Sequence, residues 1–372
     1  MTTLQQLQAL QIDALLSMAD LIVLTKSSIA IVPRSPPNLD LTVTVPVSTS
    51  LAPTTAINGI FSISEFLISF DVTSEKYGGK PDSDITQALE KAWTDACAST
   101  APSKIVVPKG TFKFVGTTFK GPCKAAIEFQ LQGTLQAPVD GSQLPKDDTW
   151  IGFDNVDGLT LSGGGTFDGQ GAESWKNNDC NKNRECKSKH INLRFHLLTN
   201  SKILDVTSKD SKNFHVNLLK CEKVEFNGFT VSAPKESMNT DGIHIGRSTG
   251  INITDTTIGT GDDCISIGDG TKDLTVTNIT CGPGHGIAIG SLGRYPEEEP
   301  VSGINIKKCT LTDTTNGVRI KTWPASPKDS TAKDIITLRI LPWLMLVTLS
   351  SLTKSTTHGT NAKKGYLYIP IY

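Results

Sequence analysis

Three carboxylates (Asp241, Asp262, Asp263), an imidazole (His285) and two cations (Arg319, Lys321) fall within one repeating pattern of the chain. Asp241-Gly-Ile-His-Ile-Gly246, Asp263-Cys-Ile-Ser-Ile-Gly268 and His285-Gly-Ile-Ala-Ile-Gly290 are near copies, each displaced by 22 residues from the last. Asn316-Gly-Val-Arg-Ile-Lys321 is a fourth, degenerate copy after a longer gap. If every copy forms the same strand of successive coils, Asp241, Asp263 and His285 share one register position, with neighbouring strands about 4.8 Å apart. Asp262 then lies at the turn before its strand. Arg319 and Lys321 point outward, because Val318 and Ile320 between and beside them point inward. Strict alternation would also turn Asp241 and Asp263 inward, so the Gly- and Asp-rich turns are expected to rotate them out. Singly, an Asp beside Gly is a turn residue, an outward Arg or Lys is a solvated charge, and a His is a hydrogen-bonded structural residue. Together they crowd acids, which raises at least one pKa and lets one carboxyl stay protonated while its neighbours act as bases. That is the equipment of general acid–base catalysis.

The elements that position these residues follow from the period. A two-residue alternation inside a 22-residue repeat describes a parallel β-solenoid, one coil per repeat, with Ile and Val stacking inward on the coil below. Secondary strands such as Ile251–Ile253 and Leu274–Val276 lie between the copies. Ahead of them, Ile85, Ala88, Leu89, Ala92, Trp93 and Ala96 fall at helical spacing over Asp84–Cys97, with Asp84 placed as cap. Ile105–Phe112 reads as a strand ending in a Pro/Gly turn. An α/β sandwich would need helices between the strands, and no such pattern occurs. The fold class expected is all-β, a right-handed parallel β-helix with a short N-terminal capping helix.

The chain has 372 residues with 36 Lys+Arg against 37 Asp+Glu, a net charge of −1 that argues against nucleic-acid binding. Eight cysteines at wide spacing form no CxxC pair, which argues against a zinc site and for disulfides in an oxidising compartment. Asn252-Ile-Thr254 and Asn278-Ile-Thr280 are sequons consistent with a secreted glycoprotein. Met1–Leu24, however, has no basic n-region, and Asp13 and Asp20 interrupt its apolar stretch. Leu21–Leu24 and the C-terminal apolar run, which contains Pro342, are both too short to span a bilayer.

The motifs Asn239-Thr-Asp-Gly242, Gly261-Asp-Asp-Cys264, Gly284-His-Gly286 and Arg319-Ile-Lys321, in that order, resemble the four signatures of the polygalacturonase family, glycoside hydrolase family 28. Tyr77-Gly-Gly-Lys-Pro-Asp82 and Gly163-Gly-Gly-Thr-Phe-Asp-Gly169 resemble its plant branch. Asn177-Asn-Asp-Cys180, Lys212-Asn-Phe-His-Val216 and Thr314–Trp323 are most similar to the pollen-type exopolygalacturonases. The resemblance implies a secreted cell-wall enzyme that hydrolyses α-1,4-galacturonosyl linkages of polygalacturonate (pectin) by single-displacement inversion, exo-acting, monomeric and without cofactor or metal. It implies Asp262 as general acid, Asp241 and Asp263 as holders and bases of the attacking water, and His285 as the residue that tunes the acid. It implies Asn239, Arg319 and Lys321 as substrate-binding residues, the two cations gripping the galacturonate carboxylate. It also implies the disulfides Cys97–Cys123, Cys264–Cys281 and Cys180–Cys186. Two alternatives stand beside it: a catalytically inactive or truncated relative, and a calcium-dependent pectate-lyase-like β-helix. Glu297-Glu-Glu299 reads as a solvated charge run, or as a loop closing one end of the cleft.

Three segments follow from this reading: a leader over 1–68, Pro/Ser/Thr-rich and without periodicity; the β-helix over 69–335; and an aberrant tail over 336–372. In the tail the pattern collapses, and the tyrosine that the family places beside the sugar cleft is missing. Back-translating Thr337–Lys363 with suitable codons and reading from the last base of Thr337 yields IEDITMVNVSNPIIIDQEYYPWNQCK, which is similar to the missing family segment. The expectation is a reading-frame slip near residue 336, leaving the last intact coil with an open sheet edge.

Overall fold

The computed structural model describes residues 67–176, 178 and 189–323, together with the backbone of strands Ile336–Ile340, Leu346–Thr348 and Gly365–Tyr368. Residues 1–66 of the expected leader, the Cys180–Cys186 pair, Asn177 and most of the tail lie outside the described residues, whereas Ile68 already opens a strand, Ile68–Asp71.

The described residues between 67 and 323 wind as a solenoid. One sheet has nine strands, and their spatial order is their chain order: Thr117–Lys120, Thr149–Asp154, Ile191–His196, Val216–Leu219, Ile243–Gly246, Ile265–Ile267, Ile287–Leu292, Val318–Thr322 and Gly365–Tyr368. Each strand pairs in parallel with its counterpart one coil on, the last pair excepted. The remaining described strands form a 17-stranded sheet that includes Thr249–Gly259 and Lys272–Cys281. Ile243, Ile265, Ile287 and Val318 stand in one register row, as do His244, Ser266, Ala288 and Arg319. The 22-residue period is therefore the coil length in this part of the chain.

Alternation assigns the two rows to opposite faces. Ile243, Ile265, Ile287 and Val318 are buried in the core, each worth about 1.5–3 kcal/mol relative to exposure. Toward the N-terminal end the core is aromatic: Phe119, Phe153, Phe195 and Phe226 contact one another in turn at ring-centroid separations of 5.3–6.2 Å. The helix runs from Thr86 to Ala98 and buries the apolar face read from its spacing. Asp84 is displaced from the cap position by one residue, yet its carboxylate still accepts the Thr86 N–H at 3.0 Å. Trp93 packs on Phe119 (5.0 Å) and Phe153 (5.8 Å), and its Nε1 donates to Lys120 O. The helix thus covers apolar core that the first coils would otherwise expose, and the Cys97–Cys123 disulfide fastens it there.

Past residue 323 the backbone adds rungs on both sheets. Ile336–Ile340 pairs in parallel with Val301–Lys307, and Leu346–Thr348 with Thr310–Thr312. Gly365–Tyr368 runs antiparallel to Val318–Thr322, so the edge of that strand is paired rather than open. An antiparallel strand satisfies the same edge N–H and C=O groups without belonging to the coil repeat.

Two further expectations are corrected. A short helix, Ala172–Lys176, follows Gly169-Gln-Gly171, where none was read. Glu297-Glu-Glu299 is not a uniformly solvated run: Glu298 is buried, and its carboxylate accepts the N–H groups of Gly293, Arg294 and Tyr295 at 2.5, 2.8 and 3.1 Å. One carboxylate closing three backbone donors defines the loop from inside, which explains its burial.

Candidate active site

Asp241 and Asp263 lie in the turns immediately before Ile243–Gly246 and Ile265–Ile267, not within the strands. The Asp263 carboxylate is turned to the outer face, where it meets Arg319 and Lys321, but neither acid is solvated: Asp241 is 7 % exposed and Asp263 1 %. The burial of Asp263 is matched by opposite charge, since Arg319 Nη2 and Lys321 Nζ donate to its two oxygens at 2.6 and 2.8 Å. Arg319 and Lys321 do leave the strand on the outer face, as alternation requires. Asp262, half-buried, accepts the Asp263 N–H at 2.9 Å and meets His285 Nδ1 at 3.0 Å through the same oxygen. Its carbonyl also accepts the His285 N–H at 2.7 Å, so backbone and side chain of neighbouring coils are locked together. Asn239 is exposed with φ 59°, and its side-chain carbonyl accepts from Asn178 Nδ2 at 3.3 Å.

The close approach of these turns depends on glycine. A Cβ on Gly261 would stand 1.9 Å from Ser237 O, and one on Gly286 would stand 2.3 Å from Asn316 O at φ +87°. A buried hydroxyl cluster, not anticipated from the sequence, ties the same turns together. Thr240 Oγ1 lies 2.7 Å from both Ser237 Oγ and Thr260 Oγ1 and accepts the Gly261 N–H at 3.2 Å. Scattered Ser and Thr residues in turns carry no periodic signal, so only coordinates reveal their convergence. Behind Asp263, the Cys264–Cys281 disulfide joins the turn to the following coil. Cys221 and Cys309 are buried free thiols.

Electrostatics separates the carboxyls. Burial, with the charges of Asp262 and Asp263, pushes the Asp241 carboxyl well above the usual carboxylate range; Ser266 and Lys321 oppose this. Burial also acts upward on Asp262, but the hydrogen bond and charge of His285, the Asp263 N–H and Lys321 outweigh it and hold this carboxyl below its ordinary value. Protonation is therefore favoured at Asp241 over Asp262. The ligand atoms of Asp262, Asp263 and His285 lie within 4.8 Å of one another, close enough to meet a cation. Both Asp263 oxygens are already engaged by cationic side chains, however, and those charges repel a metal ion.

A right-handed parallel β-helix carrying three clustered carboxyls, an imidazole and two cations on one face defines a carbohydrate-hydrolase architecture. Residues 97–335 match the family described as glycosyl hydrolases family 28, and the chain belongs to that family. It is 58% identical over 244 residues to an exopolygalacturonase of Oenothera organensis, covering 65% of this chain and 67% of that one. It is 54% identical over 265 residues to a polygalacturonase of Medicago sativa, covering 70% of this chain and 63% of the relative. The chain thus spans about two thirds of the length of such relatives. In fold it is similar to an endo-xylogalacturonan hydrolase from Aspergillus tubingensis (TM-score 0.59, 24% identity, 73% of this chain and 70% of that one). It is also similar to an exopolygalacturonase from Thermotoga maritima (TM-score 0.57, 17% identity, 68% of each).

Proposed function

We propose that this protein hydrolyses α-1,4-galacturonosyl linkages of polygalacturonate by single-displacement inversion, acting from chain ends. The observation that carries the reading is the convergence of Asp241, Asp262, Asp263 and His285 with Arg319 and Lys321 in adjacent turns of one solenoid face. The relatives named exopolygalacturonase support the substrate class and the exo mode. In this mechanism Asp262 donates its proton to the glycosidic oxygen as that bond breaks. Asp241 and Asp263 hold a water whose oxygen attacks the anomeric carbon, and Asp241 receives the water's proton. Return of a proton to Asp262 restores the acid for the next turnover.

Arg319 and Lys321 are the groups suited to the galacturonate carboxylate, with Asn239 at the rim. Both cations already engage Asp263, so a substrate carboxylate would share them with an internal anion. A groove lined by Thr118, Asp148, Asp154, Arg194, His196 and Asn217 lies over the coils N-terminal to the acid cluster, ending at Asn217, the register neighbour of His244. A monomer acting outside the cell, in the wall, is the accompanying proposal. Disulfides at Cys97–Cys123 and Cys264–Cys281 and the exposed sequon residues Asn252 and Asn278 support it. Among the described residues no helix is long and apolar enough to cross a membrane.

The test is incubation of the purified chain with polygalacturonate in two arms, one with a chelator and one with added calcium, following reducing ends, unsaturation and the first anomer by proton NMR. Reducing ends with inverted anomer and no unsaturation are expected. Calcium-dependent unsaturated ends would assign a lyase, and absence of release would assign an inactive relative.

A further inference from the structure

The loop that follows strand Ile287–Leu292 carries a cation that neither the four motifs nor the mechanism above uses. Arg294 is exposed, and its Cζ lies 5.1 Å from the ring centroid of Tyr295 and 5.0 Å from that of Trp323. Tyr295 is itself 48 % exposed. Trp323 comes two residues after Lys321, about 6.6 Å farther along an extended chain. Its N–H donates to Leu292 O at 2.7 Å, which joins the end of strand Val318–Thr322 to the start of the loop. The acids lie in the turns before the strands, and Arg319 and Lys321 lie within one. Arg294 therefore stands at the opposite end of the strands from the acids, next beyond Lys321.

Among the described residues no carboxylate lies within ion-pair distance of Arg294. The nearby acids are engaged elsewhere: Glu298 accepts main-chain N–H groups, Glu299 meets Lys272 at 3.1 Å, and Asp269 meets Arg247 at 2.9 Å. Arg319 and Lys321, by contrast, both contact Asp263. Stacking on ring faces leaves the in-plane N–H donors of a guanidinium available, and that fork matches the two oxygens of a carboxylate. The rings also restrict the side chain beforehand, so less freedom is lost when an anion binds. Glu298 shapes the loop through main-chain donors, which do not depend on the Arg294 side chain.

We propose that Arg294, flanked by Tyr295 and Trp323, is a second carboxylate-binding site, taking the galacturonate residue adjacent to the one bound at Arg319 and Lys321. Every residue of polygalacturonate carries a carboxylate, so successive cations suit the polymer, and the two rings offer apolar faces to the sugar.

The assignment rests on the polygalacturonate reading, and the experiment lets either fail alone. Binding of α-1,4-trigalacturonate and of its carboxyl-reduced counterpart is titrated calorimetrically against full-length Asp262→Asn protein, which leaves the oligomer intact. The same titrations follow with a further change at Arg294. Arg294→Gln is expected to weaken binding of the acidic oligomer about tenfold, with the neutral oligomer and the melting temperature unaffected. Arg294→Lys, which keeps the charge without the fork, is expected to fall between. Undiminished binding of the acidic oligomer in Arg294→Gln would overturn the site. So would an equal loss for both oligomers, which would make Arg294 a support of the loop, or no binding of trigalacturonate at all. A parent that releases no reducing ends while binding follows the expected pattern would overturn the hydrolase reading alone.

Discussion

Asp241 and Asp262 sit in turns of adjacent coils, yet their surroundings push them in opposite directions. Asp241 is raised by burial and by two neighbouring carboxylates, whereas Asp262 is held down chiefly by its contact with His285. A carboxyl whose folded pKa is raised favours folding most while protonated, below its unfolded pKa. That contribution is lost as pH rises through the folded value. Asp241→Asn removes the neutral-pH cost without changing size, so its melting temperature is expected to exceed the parent's by a few degrees at pH 7 and to converge with it near pH 4. Thermal unfolding at the two pH values checks this; equal shifts at both would mean that Asp241 is not strained by charge. The convergence of these side chains was legible, because register alone put Asp241, Asp263 and His285 in one row and Arg319 and Lys321 on the outer face. Partner choice was not legible. Alternation says which way Arg319 points, but not that Asp263 is what it meets, nor that His244 meets Ser266.

At the scale of elements, the turn Gly261-Asp-Asp-Cys264 is held by three devices: a glycine packed against Ser237 O, the hydroxyls of Thr240 and Thr260, and the Cys264–Cys281 disulfide. The disulfide closes a separation of 17 residues, worth about 3 kcal/mol through the unfolded state. The double variant Cys264→Ser, Cys281→Ser is therefore expected to lose about that much stability in denaturant titration. Its activity should fall even where it remains fully folded, because Asp262 and Asp263 directly precede the bond. Full activity in the folded variant would show that the turn is held without it. The coil strands themselves were plain from the period-two rows of Ile and Val. The buried Glu298 loop was hidden, because a triple glutamate run resembles a solvated loop until its backbone donors are seen. Lys212 was hidden for a similar reason: its ammonium is buried under Pro138 O, Gly169 O and Gln170 O, and burial lowers its pKa to about 8.

For the whole molecule, the N-terminal helix and the aromatic half of the core close one end, and the acid cluster lies on the outer face of the aliphatic half toward the other. Parallel pairing persists to Leu346–Thr348, but the final rung is antiparallel, which fits a tail that no longer follows the coil repeat. A reading-frame slip near residue 336 is our proposal for that break. Sequencing the transcript decides it, because an uninterrupted frame through Leu341–Tyr372 would remove the explanation. The central claim is that the carboxyl cluster of this chain hydrolyses polygalacturonate, and its most direct test is reducing-end release by parent and Asp262→Asn proteins of equal melting temperature. Release by the parent with a loss of about 10²–10⁴-fold in Asp262→Asn is the expected result; equal release by the two would contradict the account.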